Sequence, residues 1–402
     1  MANCSGLERF SDFDTYIEVV RDRTKFDEAA LIQCQQQICL AIWGEGNPDI
    51  SGIGVSVGYV IEVVLAFLLA AAVLAVQARE TRPRWCRSLD EVLCAAFAAF
   101  FDCAVFFALA VELASLVMLA QKDLFNVPTN EFGANDVRIA TANSVVCLLP
   151  LLYPLAVHWT HRVDAGEGHD QEHQEQRPRQ CNRCAEGDKR DIRLSLFYLL
   201  IPLHFVPFLF QCTYNWGPSR IGSSPTADGS VIATEAEWNA VLRICFGDVR
   251  QFSNAEMYII AVFEILGSLI VFAFALWHSV ATVVLYLDGR GKTMMGKWIA
   301  LIKWRLRERN FWLTIMLLLT PLGLSVPLLR GIFRLRDIQG KLAERMGSQY
   351  TGNEWGFGQI IGLVIFAPVF TEALWAWRHR CIRGNGIRAV AEIGLDNTVS
   401  RD

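Results

Sequence analysis

Charge is what this chain has least of. Asp, Glu, Lys and Arg make up 19% of its 402 residues, against about a quarter in ordinary soluble domains. That is too little to solvate the two or three soluble domains its length would allow. An excess of basic residues is missing too: the formal charge is -4, which excludes a basic nucleic-acid binder. The polar stretch before the first apolar run has no n-region and h-region pattern, so no cleaved signal peptide is expected and the first span must direct its own insertion. No internal repeat is visible, which argues against the inverted-repeat transporters. Apolar residues take the place of charge. Hydrophobic residues reach 53%, with 25 Phe and 12 Trp, and mean hydropathy is +0.29. Disorder is excluded by that content, and an integral membrane protein is implied.

A hydrocarbon core of about 30 Å needs about 20 apolar residues in helix. Runs of that length predict seven spans: Gly52–Gln77, Leu93–Ala120, Val137–Thr160, Leu194–Gln211, Met257–Leu287, Phe311–Leu329 and Trp355–Trp377. The expected fold is an all-α polytopic helix bundle. Prolines at 150, 154, 202 and 207 are tolerable where neighbouring helices and hydroxyls satisfy the freed carbonyls. Basic residues set the orientation. Arg79, Arg82, Arg84 and Arg87 follow span one, Arg162 through Arg193 follow span three, and Arg290 through Arg309 follow span five. Loops 78–92, 161–193 and 288–310 are therefore expected in the cytosol. This leaves residues 1–51 as a lumenal segment, 52–377 as the transmembrane domain with a lumenal loop at 212–256, and 378–402 as a cytosolic tail. The endoplasmic reticulum or another endomembrane is the expected location. Residues 330–354 object, because this expected lumenal loop carries Arg330, Arg334, Arg336, Lys341 and Arg345. Their pattern reads as an amphipathic helix lying on the membrane surface.

Cys4, Cys34, Cys39, Cys212 and Cys245 would face an oxidising lumen, where disulfides persist. A link from Cys34 or Cys39 to the long lumenal loop is expected, with the pairing open. His161, His169, His173, Cys181 and Cys184 suggest zinc ligands at first sight. A lone CxxC in a polar run such as GEGHDQEHQEQRPRQ reads instead as a solvated linker, so no metal or cofactor is expected.

The informative residues are those a bilayer should exclude. A mid-span carboxylate costs on the order of 3 kcal/mol on insertion scales and normally faces a site, a pathway or a partner. Glu62, Asp102, Glu112, Glu264 and Glu372 fall in spans, and no Lys or Arg lies deep enough to neutralise them; Arg138 comes nearest. At 1.5 Å rise per residue, Glu62 lies about ten residues from the lumenal end of its span, Glu112 about eight, and Glu264 and His204 about seven. Asn143 and Gln359 share that half. These six are expected to line one cavity, with Asp102, His278 and Glu372 on the cytosolic side. Glu62, Glu112 and Glu264 are the candidate catalytic acids; Asn143, His204 and Gln359 are pocket-lining candidates. Aromatic faces beside a neutral carboxyl suit acid chemistry on an apolar substrate, because they attract a developing cation.

Two stretches carry a resemblance, WGEGNPDISGIGVSVGYVIE at Trp43–Glu62 and EWGFGQIIGLVIFAPVFTEA at Glu354–Ala373. They resemble signature segments of a multi-pass membrane protein family of filamentous fungi. That family includes membrane-bound terpene cyclases of meroterpenoid secondary metabolism, of the ascochlorin and ascofuranone type. The resemblance implies acid-initiated cyclisation of a prenylated, epoxy-farnesyl aromatic substrate, an isomerase-type reaction with the membrane lipid as surroundings. It transfers no verified catalytic residue; Glu62 and Gln359 sit in the matching segments. Gly52 and Gly54 there would permit close helix packing. Two other classes stay open, a seven-span receptor or sensor and a proton-coupled small-molecule transporter. No Lys in spans six or seven offers a retinal Schiff base, and span three ends HWTHR rather than in an Asp-Arg-Tyr-like triplet.

Overall fold

The computed structural model describes residues 21–22, 25–26, 28–43, 46, 48–77, 84–121, 134–156, 192–209, 212, 235–288, 310–353 and 355–379. Cys4, the His and Cys run at 161–184, the loop 289–309 and the tail beyond 379 lie outside the described residues. Among the described residues, seven helices are long and apolar enough to cross a membrane: Ile53–Val76, Leu89–Val117, Arg138–Ala156, Ile192–Leu209, Ala255–Val280, Ile315–Arg345 and Gly358–His379. The chain is an all-α, multi-pass membrane protein in layout.

Among the described residues, three short helices precede the spans: α1 (Glu28–Gln33), α2 (Gln35–Trp43) and α3 (Pro48–Ser51). The spans then belong to α4 (Ile53–Gln77), α5 (Arg84–Gln121), α6 (Ala134–Leu148, continued by a 3-10 turn at Leu149–Leu151), α7 (Ile192–Leu209), α9 (Asn254–Asp288), α10 (Asn310–Arg345) and the pair α11 (Phe357–Val364) and α12 (residues 367–379); α8 (Glu235–Phe246) lies in the connection before α9. Two-residue strands Arg21–Asp22 and Lys25–Phe26 pair antiparallel.

The centre of the bundle is α6. From Ile139 to Leu155 nearly every side chain is buried, the mark of a helix surrounded on all sides. It packs on α5, α9 and α10, while α4 packs on α5, α10 and α11. Pro150 lacks the N–H that would bond back one turn, which is why α6 tightens into a 3-10 turn there. Around Pro321 and Pro327, hydroxyls take up carbonyls: Thr320 Oγ1 donates to the Met316 carbonyl at 2.7 Å, Tyr153 to that of Leu318 at 2.7 Å, and Ser325 to that of Pro321 at 2.7 Å. The seventh span breaks at residues 365–366, just before Pro368, for the same reason.

Two readings need correction. Residues 84–92 are not loop; they are the first turns of α5. Residues 330–345 are not a separate helix lying on the surface but continue α10 from the sixth span without a break. At 36 residues α10 runs about 54 Å, well beyond the hydrocarbon core. Its far end joins a cap built from α1, α2, α3 and α8. A left-handed Gly347 (φ +67°) stops the helix, with the Ser348 N–H bonding the Ala343 carbonyl at 2.9 Å, a Schellman end.

The cap is stapled. Cys39 of α2 and Cys245 of α8 form a disulfide across 206 residues of sequence, with Cα atoms 5.5 Å apart. Gln35 Nε2 donates to the Ile244 carbonyl at 2.7 Å, and Trp43 meets Phe246 edge to face at 4.7 Å. The expected link between the N-terminal segment and the long loop is present, and Cys34 is disulfide-bonded as well. Cys212 is not part of it: its thiol is free, and partial burial pushes its pKa up. Because the loop closed is long, Cys39→Ser is expected to lower stability by about 2–5 kcal/mol. Under reductant, wild type and the variant should melt alike; identical melting of the two without reductant would refute this role.

Candidate functional site in the membrane core

Narrow seams bring polar side chains to the bundle axis. Along α9 the buried positions are Ala261, Glu264, Ser268, Val271, Ala275 and His278; along α7 they include Phe197, Leu200 and His204. Alternating spacings of three and four keep each set on one face. On α4, Val55, Tyr59, Glu62, Val63, Ala66, Ala70 and Val73 are buried while Val64 and Leu68 face outward. Ala66 and Ala70 let neighbouring backbones approach.

Four helices meet at His204. Its Nδ1 lies 3.0 Å from Glu112 Oε1 of α5 and 2.7 Å from Ser144 Oγ of α6. Ser144 donates to Glu112 Oε1 at 2.8 Å. On the other side of the ring, His204 Nε2 is 3.0 Å from Ser268 Oγ of α9, whose own hydroxyl donates to the Glu264 carbonyl at 3.0 Å. With the Ser268 hydrogen committed to that carbonyl, Nε2–H is the donor to Ser268. How Nδ1 meets Glu112 and Ser144 is set by the hydrogens on the ring, since both contacts converge on this one nitrogen. Glu112, Ser144, His204 and Ser268 are all fully buried.

Beside this network lies Glu62, also fully buried, with neither carboxyl oxygen hydrogen-bonded. The Tyr59 hydroxyl and the Cys147 thiol each lie within electrostatic range of both Glu62 and Glu112, which places the two acids in one neighbourhood. Tyr59 sits three residues before Glu62, on the same face of α4. Its ring centroid is 5.3 Å from that of Phe107, which is 5.8 Å from Phe366; Phe366 stacks on Phe100 at 6.0 Å. An acid with no hydrogen-bonding partner next to a run of four aromatic rings can deliver a proton and face the charge it creates.

All six expected site residues are buried, but they divide in role. Glu112 and His204 touch directly, and Glu62 is their neighbour. Glu264 joins the network through its main-chain carbonyl. Asn143 donates Nδ2 to the Ile50 carbonyl at 3.0 Å, and its Oδ1 is buried without a partner. Gln359 accepts the Gly54 N–H at 3.1 Å and locks α11 onto the start of α4. The expected close packing at Gly52 and Gly54 is present: a Cβ on Gly54 would lie 2.6 Å from Gln359 Cβ. Gly54→Ala is thus expected to cost about 1–3 kcal/mol, read as a lower melting temperature, while the same change at Gly323, which meets nothing within 4 Å, should be silent.

The idea that no cation reaches the deep acids fails at Asp102. Arg193, at the start of α7, reaches it with paired contacts of 2.5 and 2.6 Å, its long stem carrying the head to depth. His278 Nδ1 meets the Tyr198 hydroxyl at 2.7 Å, Arg138 Nη1 contacts Met257 Sδ at 2.7 Å, and Glu372 is exposed on α12. In the cap, Gln339 donates to Asp136 at 2.7 Å and Arg336 to the Gly352 carbonyl at 3.2 Å, around a Tyr350 whose hydroxyl pKa burial pushes up.

Ser144, Ser268, Tyr59 and Cys147 were not singled out in the sequence. Serine is common in spans, and only the one-turn spacing of Glu264 and Ser268 offered a signal. Among the described residues no three His, Cys, Asp or Glu side chains converge as metal ligands. Compared with known proteins, the chain matches no family model, no curated protein and no solved structure.

Proposed function

We propose that the protein is an integral membrane terpene cyclase that opens an epoxide on a prenylated aromatic substrate and closes a ring. The observation that carries this reading is Glu62, a buried carboxyl without a hydrogen-bonding partner, set against Tyr59, Phe107 and Phe366. The Glu62 O–H gives its proton to the epoxide oxygen and the C–O bond breaks. The positive charge moves to carbon, where an alkene attacks to form the new C–C bond, and the aromatic faces attract the cation throughout. Loss of a C–H proton to a nearby base ends the sequence, so substrate and product are isomers and the balance needs no cofactor. The resemblance to fungal meroterpenoid cyclases supports the same chemistry.

We further propose that the cap is lumenal and the loops rich in Arg and Lys are cytosolic, in an endomembrane. The Cys39–Cys245 disulfide supports this sidedness, because such bonds persist in an oxidising compartment. A second reading, a proton-coupled transporter, draws on the Glu112–Ser144–His204–Ser268 network, in which a carboxyl, an imidazole and two hydroxyls tie four helices together. The deciding test is conversion of a prenylated aryl epoxide by microsomes carrying the wild-type chain. A cyclised isomer is expected; no turnover would refute the cyclase and favour the transporter.

A further inference from the structure

Buried polar atoms without partners divide by chemistry. Among the described residues, those in the membrane core are all acceptors: both Glu62 carboxyl oxygens, Glu112 Oε2 and Asn143 Oδ1. They come from three helices, α4, α5 and α6, on residues 0–1% exposed. Buried acceptors normally find donors, and a proton on each acid supplies at most one apiece. A group that donates hydrogen bonds and tolerates negative surroundings would satisfy them. Tyr59 stands one turn from Glu62 on the same face of α4, with the Phe107 ring 5.3 Å from its own, and aromatic faces attract cations.

We propose that Glu62 and Glu112, together with the Tyr59 and Phe107 rings, bind a protonated alkylamine carried on a prenyl-like chain. The inference rests on the cyclase reading, since a site that lowers the energy of a carbocation must also hold a stable cation of the same shape, as it would a transition-state analogue. It goes beyond that reading by naming a ligand class that binds without reacting. The ammonium N–H points to a carboxylate oxygen, the alkyl groups lie on the rings, and the apolar chain fills the lipid-like surroundings.

The test uses the full chain in nanodiscs and two probes, N,N-dimethylfarnesylamine and the neutral analogue with carbon in place of nitrogen. Binding is read as the ligand-dependent rise in melting temperature. The amine is expected to bind at least about tenfold tighter than the neutral analogue, and Glu62→Gln should remove most of that difference while its own unliganded melting temperature stays near wild type. Phe107→Leu should weaken the amine about threefold and leave the neutral analogue unchanged. Equal binding of the two probes by wild type overturns the proposal whatever the variants do, as does undiminished amine preference in Glu62→Gln. Epoxide conversion measured on the same preparation separates the two readings. Amine preference without conversion keeps the site and refutes the cyclase; conversion without amine preference does the reverse.

Discussion

Glu62→Gln is expected to fold and to lose turnover by about 10²–10⁴-fold. Glutamine matches the shape of a neutral carboxylic acid but has no proton to transfer, so the change isolates chemistry from packing. Glu62 makes no hydrogen bond that the amide would have to replace, and stability should therefore change little. Glu62→Asp, shorter by one methylene, should retain residual activity because the acid survives at a poorer distance. Among the three candidate acids this position should suffer most. Glu112 shares its Oε1 with Ser144 and His204, and Glu264 enters the network by its main chain. Each variant would be assayed in microsomes on a prenylated aryl epoxide, with expression measured separately. Full activity in Glu62→Gln would remove it from the mechanism.

His204→Leu and Glu112→Leu are each expected to destabilise the protein by about 3–5 kcal/mol, the range for breaking one side of a buried pair. The Leu at 204 would leave Glu112 Oε1 with Ser144 alone and Ser268 Oγ without its ring partner. The Leu at 112 would leave His204 Nδ1 and Ser144 with only each other. The double Leu variant removes both polar groups, so it should be less destabilised than the sum of the singles by about 0.5–3 kcal/mol. Thermal melting in a common detergent reads all four proteins. Strict additivity would show that the 3.0 Å contact carries no coupling.

How much could be read in advance differs element by element. The seven spans follow from apolar run length, and the structure moves their ends by only a few residues where the helix stays within the bilayer. It moves them far where a helix projects. At Arg84 and at residues 330–345 the composition turns polar, yet helical hydrogen bonding continues, because satisfying the backbone does not require an apolar side chain. Burial of Glu62, Glu112, Glu264, Asn143, His204 and Gln359 was legible because the bilayer penalises polar groups at depth. Their partners were not. Arg193 lies at a span boundary, and only the folded bundle shows its side chain reaching Asp102.

By itself, then, the sequence determined membrane residence, the number of crossings and which polar residues had to be hidden. These follow from local terms, run length and transfer cost, that each segment meets alone. Tertiary structure decided which hidden groups meet. Ser144 and Ser268 become a bridge and a terminus of the His204 network only because α6 sits at the centre with α5, α7 and α9 around it. Cys39 rather than Cys212 pairs with Cys245 because α2 packs on α8. Gln359 becomes a helix clamp because two glycines let α11 approach α4. Each of these depends on helix rotation and crossing, set by packing among residues tens to hundreds of positions apart, and no local pattern encodes that.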